Sequence, residues 1–246
     1  MSYQTTKEHE LLREKVREFA EREVKPIAFS LDVKSEFPTQ VVKNMGKLGI
    51  MGLPYEKKYG GAGTDVLSYA IAVEELSRVD GGVGVILSAH TSLGTYPIAA
   101  FGTEEQKKKY LTPVVKGEKK LAFALTEPGA GSDAAGMTTT AVKDGDYYIL
   151  NGRKCFITMA PLSDYAVVFA KTDMTKGTRG VSAFVIDMKQ EGVSCGKHED
   201  KMGLIGCATS DIVMENVRVH KSDMLGEEGK GFNLAMATLD TGRLGV

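Results

Sequence analysis

With 246 residues, 42% hydrophobic and 26% charged, the chain has a globular composition and the length of one large or two modest domains, which excludes disordered, collagen-like and coiled-coil classes. Lys plus Arg number 31 against 32 Asp plus Glu, a net charge of −1 with no block of like charge, so no nucleic-acid partner is expected. No apolar run nears the roughly 18 residues of a membrane span, and the polar start Met1–Glu10 lacks the apolar centre of a leader, so no membrane role is expected and a reducing cytoplasm is the expected location.

The first half reads as helices. Between Glu8 and Ala28 the residues Leu12, Val16, Phe19 and Val24 form an amphipathic stripe that Pro26 ends. Pro38 suits a first helical turn, and Val41, Val42, Met45 and Leu48 make the apolar face of a second helix that stops near Gly49. Tyr59 to Asp65 is glycine-rich loop, after which Leu67, Ala70, Ile71, Val73 and Leu76 resume helical spacing. Small residues from Gly81 to Gly94 predict a closely packed interior helix, and Thr103 with Gln106 has the form of a capping box.

Near Gly117 the period changes. Tyr147–Leu150, Ala166–Ala170, Val181–Ile186 and Asp211–Met214 are β-rich runs punctuated by Asp144-Gly145 and Asn151-Gly152, which predicts a compact β-domain. From Gly231 the pattern is helical again, with Phe232, Ala235, Met236 and Leu239 on one face that has no partner in the sequence, so that this segment reads as cut inside a helix and prone to association. Cys155, Cys195 and Cys207 are an odd set for which disulfides are not expected. Cys195 and His198 have the spacing of a metal pair but lack a second pair, so no metal site is expected.

The stretch that carries chemistry is Phe123-Ala124-Leu125-Thr126-Glu127-Pro128-Gly129-Ala130-Gly131-Ser132-Asp133. Gly129, Gly131 and Ala134 satisfy a relaxed dinucleotide-binding pattern, but that fingerprint needs a helix directly after the glycines, and Met137–Val142 is β-branched and strand-like. Spacing alone leaves open a plain turn between strands or a loop whose backbone N–H groups hold an acceptor-rich ligand. It also leaves Phe156 open as domain core, and Asp240 with Arg243 as a surface i,i+3 ion pair.

The string Leu-Thr-Glu-Pro-Gly-Ala-Gly-Ser-Asp at 125–133 resembles the signature of acyl-CoA dehydrogenases, flavoenzymes that desaturate acyl-CoA thioesters between the α and β carbons. Tyr59–Gly63, Phe101–Lys107, Phe156–Thr158, Glu199–Gly203 and Leu225–Gly231 resemble further segments of that family in the same order, nearest to its short-chain, butyryl-CoA branch. The resemblance implies a multidomain α+β chain: an all-helical domain at 1–118, a β-barrel domain at 119–228, and the first helix of a C-terminal four-helix bundle at 229–246. It implies FAD, with Phe123, Leu125, Thr126, Gly131, Ser132, Phe156, Ile157 and Thr158 around the flavin. It also implies acyl-CoA, with Ser132, Leu93, Asp240 and Arg243 as substrate contacts and Thr91 and Ser92 near the acyl tail. Electron-transferring flavoprotein is the implied electron acceptor and a homotetramer the implied assembly. The family's catalytic Glu lies in the bundle, beyond Val246, or immediately before the helix arginine, where this chain has Gly242, so no catalytic residue is assigned and this chain by itself is expected to be inactive. A short paralogue that binds flavin or CoA without catalysis is the alternative. Met159-Ala160-Pro161 and His220 depart from the common family pattern and leave acyl specificity open.

Overall fold

The computed structural model describes residues 5–246. Its helical part contains α1 (Lys7–Phe19), α2 (Ala28–Lys34), α3 (Thr39–Lys47), α4 (Val66–Ser77), α5 (Gly81–Ser88), α6 (Tyr96–Phe101), α7 (Glu104–Gln106) and α8 (Thr112–Val115). The helical stripe ends at Pro26 as expected: α1 runs on through a π-helical turn over Ala20–Val24, and the separate α2 starts beyond the proline. Val16, Phe19, Val42, Met45, Leu76, Ile86 and Leu87 share one core, so the apolar stripes of α1, α3, α4 and α5 meet as their periodicity predicts. Two polar ties fix α1 on α4. The buried Glu75 carboxylate accepts from Arg13 at 3.0 Å and Arg17 at 2.8 Å, and His9 meets Asp65, the N-cap of α4, at 3.0 Å. The capping box forms at Thr103 and Gln106.

The sheet part contains β1 (Leu121–Ala124), β2 (Thr140–Asp144), β3 (Tyr147–Thr158), β4 (Tyr165–Lys171), β5 (Val181–Asp187), β6 (Val193–Cys195), β7 (Thr209–His220) and β8 (Met224–Leu225). Their order is β6-β7-β3-β2-β4-β5-β8, with β1 parallel to β4. The expected barrel is therefore corrected to an open eight-stranded sheet. Its two ends are β6 and β8, of three and two residues, which pair with β7 and β5 and not with each other. Along β4 the alternate residues Val167 and Phe169 face the helices while Ala166, Val168 and Ala170 face the opposite core, and both sets are fully buried. Asn151-Gly152 is not a turn. Gly152, with φ +155°, sits at a bulge inside β3, where the backbone of Thr139 comes so close that a Cβ would lie 2.8 Å from its Cα.

The last helix, α9 (Gly231–Gly242), leaves the sheet directly: a Cβ at Gly231 would lie 2.5 Å from the carbonyl carbon of Ser182. Leu234 and Ala235 are buried in the core between sheet and helices, with Phe232, Met236 and Leu239 packed at its edge. Of the apolar face expected without a partner, Ala235 is buried, with β5 and α6 packed against the helix, whereas Phe232, Met236 and Leu239 are only partly covered.

One buried ion pair joins the glycine-rich loop to β3. Lys154, with no exposed surface, places its Nζ 2.7 Å from Glu127 Oε1 and donates to the Leu125 carbonyl at 3.2 Å. Glu127 also accepts from the Thr138 N–H at 2.6 Å, the Thr138 hydroxyl at 2.8 Å and the Thr139 N–H at 3.1 Å. Burial alone would push this carboxyl up; the Lys154 ammonium and the threonine donors outweigh it and bring it down to about 2. Because the folded pKa lies below the ordinary 4.5, the carboxylate's contribution to stability is complete above that value and is lost as pH falls towards about 2. Two outcomes are expected. Lys154→Met should cost about 3–5 kcal/mol in denaturant unfolding, and Glu127→Gln in the same chain should recover part of that loss. In thermal melts between pH 6 and 3, the decline in stability should be shallower for Lys154→Met than for the parent chain.

Candidate functional site

β1 delivers Leu125 and Thr126 to a tight turn closed by reciprocal backbone hydrogen bonds between Glu127 and Ala130 at 3.1 and 3.0 Å. Gly131, Ser132 and Asp133 follow, then a 3-10 turn over Ala134–Gly136, then β2. A strand therefore follows the loop with only that one turn between, and the dinucleotide-type geometry, which needs a full helix there, is absent. The Thr126 carbonyl accepts from the Cys155 N–H at 2.9 Å, pinning the loop against the second irregularity of β3, between Lys154 and Ile157. That irregularity sends neighbouring side chains in opposite directions. Lys154 turns inward under the loop, whereas Phe156, at φ +57°, points out with 65% of its surface exposed. A left-handed aromatic costs about 1–3 kcal/mol and is held only where surrounding structure over-determines it. The reading of Phe156 as domain core is overturned.

Leu125, Thr126, Gly131, Ser132, Phe156, Ile157 and Thr158 line one cleft of about 490 Å³, together with Phe123 from β1. Ile157 is a core residue that reaches the cleft wall, with 2% of its surface exposed. The facing wall comes from two distant segments. One is the π-helical turn Ala89–Thr95, which continues α5 and contributes Ala89 and Leu93. The other is α9, which contributes Phe232, Met236, Leu239 and Arg243. Asp133 completes the rim with its carboxylate turned towards Gly136, where a Cβ would lie 3.0 Å from its Oδ2.

Asp240 does not share this cleft. It lines an adjoining cavity of about 550 Å³ with Thr91, Ser92, Tyr55, Tyr69 and Tyr96. Asp240 and Arg243 form no ion pair among the described residues, since the turn between them on α9 sends one to each cavity. The same division occurs between Ser92 and Leu93 on the π-helical turn, a distortion whose loosened carbonyls are met by Ser92 Oγ on Ser88 O at 2.7 Å and Thr95 Oγ1 on His90 O at 2.7 Å. Gly242 is pressed against Leu93: a Cβ there would lie 2.3 Å from Leu93 Cδ2, so a carboxylate at that position would have to displace the leucine. His90 lies outside both linings. It is wholly buried, with Nε2 3.2 Å from the Val114 carbonyl, and burial lowers it to about 4, so it stays neutral near pH 7.

Two departures noted in the sequence fall away from the site. Met159, at φ +61°, is buried in the core of the helical domain and Ala160 on the inner face of the sheet, while the His220 ring stacks edge-on against Tyr147 with a centroid distance of 5.0 Å. Sequence reasoning missed Asp133, Ala89 and the cleft-lining role of Phe232, Met236 and Leu239. Their i, i+4, i+7 spacing was visible but their destination was not.

Residues 6–118 match the acyl-CoA dehydrogenase N-terminal domain and residues 122–217 the acyl-CoA dehydrogenase middle domain. A 3-(aryl)acrylate reductase of Clostridium sporogenes is 59% identical over 98% of this chain and 64% of its own. A caffeyl-CoA reductase-Etf complex subunit of Acetobacterium woodii is 57% identical over 98% of this chain and 64% of its own. The solved butyryl-CoA dehydrogenase of Megasphaera elsdenii superposes with a TM-score of 0.97 at 45% identity, covering 100% of this chain and 65% of that one. The chain thus spans 64% of the length of each of these two curated relatives. With its helical domain, its open sheet and the loop at 125–133 all matched in order, this chain belongs to the acyl-CoA dehydrogenase family.

Proposed function

We propose that this chain forms the flavin-facing and acyl-facing walls of an FAD-dependent oxidoreductase acting on the α,β carbon–carbon bond of an acyl-CoA thioester. The observation that carries this reading is convergence: residues from β1, the loop at 125–133, β3, the π-helical turn and α9, far apart in sequence, line one cleft. The cleft volume falls in the range of small-molecule sites, which are mostly apolar with a few placed polar groups. A Cβ at Gly131 would meet no protein atom within 4 Å, so the backbone there is open to close approach by a ligand. An exposed, strained Phe156 beside such a loop suits the face of a flat ring system. These features fit a flavin.

When bound, FAD supplies the two-electron chemistry, taking or returning a hydride. This chain's own residues orient and enclose. Leu125 and Thr126 would direct backbone and hydroxyl donors at the edge of the ring system where negative charge collects on reduction, and the ion pair beneath holds that edge in place. Thr158 would set a hydroxyl at the reacting face, and Phe156 would exclude water from it. Ser132 and Arg243 are polar groups on the rim suited to the anionic CoA moiety. We assign no catalytic base among the described residues, because Asp133 faces Gly136, His90 is buried away from the cleft and Gly242 has no side chain. An electron-transferring flavoprotein as electron partner is supported by the Etf complex to which the Acetobacterium relative belongs.

The reading is tested by adding FAD to the protein and recording its visible spectrum and retention on gel filtration; a protein that stays colourless sinks it. Phe156→Gly should separate strain from function, raising stability by up to about 1 kcal/mol while weakening FAD retention about tenfold. Where a catalytic base is supplied from outside residues 1–246, Thr158→Val should leave FAD affinity near that of the parent and slow flavin reduction by acyl-CoA about tenfold or more.

A further inference from the structure

The cavity beside the flavin cleft is the part of the molecule whose chemistry the proposed function does not yet use. Three tyrosines, the buried Tyr55 and Tyr69 and the half-buried Tyr96, line it with Val66, Ala99 and Ala100, while its polar residues Thr91, Ser92, Asp240 and Thr241 lie on the two segments it shares with the cleft. Two of the rings are held in place. The Tyr55 hydroxyl donates to the Thr91 carbonyl, and the Tyr69 hydroxyl lies 3.3 Å from Ser88 Oγ on the buried helix α5. Tyr96 stands edge-on to Phe101 at 6.2 Å, and no hydrogen bond of its hydroxyl to another described residue is formed. At about 550 Å³ the cavity is several times larger than the tail of a four-carbon acyl group needs, and its alanines keep one wall open.

From this lining we infer that the cavity is an acyl pocket for an aryl group, so that the preferred thioesters are 3-arylpropanoyl-CoA or 3-arylacryloyl-CoA, phenolic rings included, and not short straight chains. The inference rests on the acyl-CoA reading above and adds its substrate class. Aromatic rings prefer edge-to-face and offset contacts with other rings, which a rigid three-tyrosine lining offers and a flexible alkyl chain cannot use. A ring also loses less conformational freedom on binding than a saturated chain of equal carbon count. Two independent relatives carry names for aryl substrates, a 3-(aryl)acrylate reductase and a caffeyl-CoA reductase complex, at 59% and 57% identity.

The test is equilibrium binding, by calorimetry, of cinnamoyl-CoA, crotonyl-CoA, oct-2-enoyl-CoA and free CoA to the full chain. Cinnamoyl-CoA is expected to bind at least tenfold more tightly than crotonyl-CoA and more tightly than oct-2-enoyl-CoA. Ala99→Phe, which fills the cavity, should reduce that preference about tenfold. Tyr96→Leu, which keeps most of the volume and removes an aromatic edge, should reduce it severalfold and covers the case in which the larger side chain prevents folding. Crotonyl-CoA or oct-2-enoyl-CoA binding as tightly as cinnamoyl-CoA overturns the aryl assignment while leaving the acyl-CoA reading standing. Binding of none of the four overturns both.

Discussion

A lysine with no exposed surface must find a full countercharge, and in this protein the requirement is met by Glu127 across 27 residues of sequence. The pair does more than neutralise itself. Lys154 also holds the Leu125 carbonyl, Glu127 gathers the N–H groups of Thr138 and Thr139, and the adjacent Cys155 N–H takes the Thr126 carbonyl. The loop entering the cleft, the strand leaving it and the irregularity of β3 are thereby locked to one another. Phe156, turned outward two residues from Lys154, stands directly beside that lock.

The cleft is made where regular structure gives way. On one side β3 breaks its register between Lys154 and Ile157 and carries Phe156 in the left-handed region. On the other, α5 runs into a π-helical turn over Ala89–Thr95, which spreads its side chains differently from an α-helix and lets consecutive residues Ser92 and Leu93 serve two cavities. Both distortions are stabilised by local hydrogen bonds, and both lie against well-packed core, so their cost is carried by the surrounding structure.

α9 is the hinge between these halves of the site. Its N-terminal end is fixed on β5 through Gly231, its middle is buried through Leu234 and Ala235, and its last two turns divide Arg243 from Asp240. A helix that the resemblance places at the start of a bundle is here a shared wall, closing the cleft at the 125–133 loop with one edge and the tyrosine-lined cavity with the other.

Much of this was legible in the residues themselves. The 3.6-residue stripes of α1, α3 and α4, the capping box at Thr103, the β-branched runs of β4, β5 and β7, and the string at 125–133 are local signals, and local physics sufficed to read them. Asn151-Gly152 misled, because the same dipeptide serves a turn or a bulge depending on which strand lies opposite. The open sheet was not legible either, since its end strands β6 and β8, of three and two residues, are too short to carry a period. Sequence alone thus determined the element types, the two-part organisation and the segment that proved to line the cleft. Tertiary structure decided that Lys154 is buried under that segment, that Phe156 is turned outward, and that Ser92 and Asp240 belong to a different cavity from Leu93 and Arg243. Those are contacts between residues far apart in the chain, and no local pattern encodes which distant surface a side chain will meet.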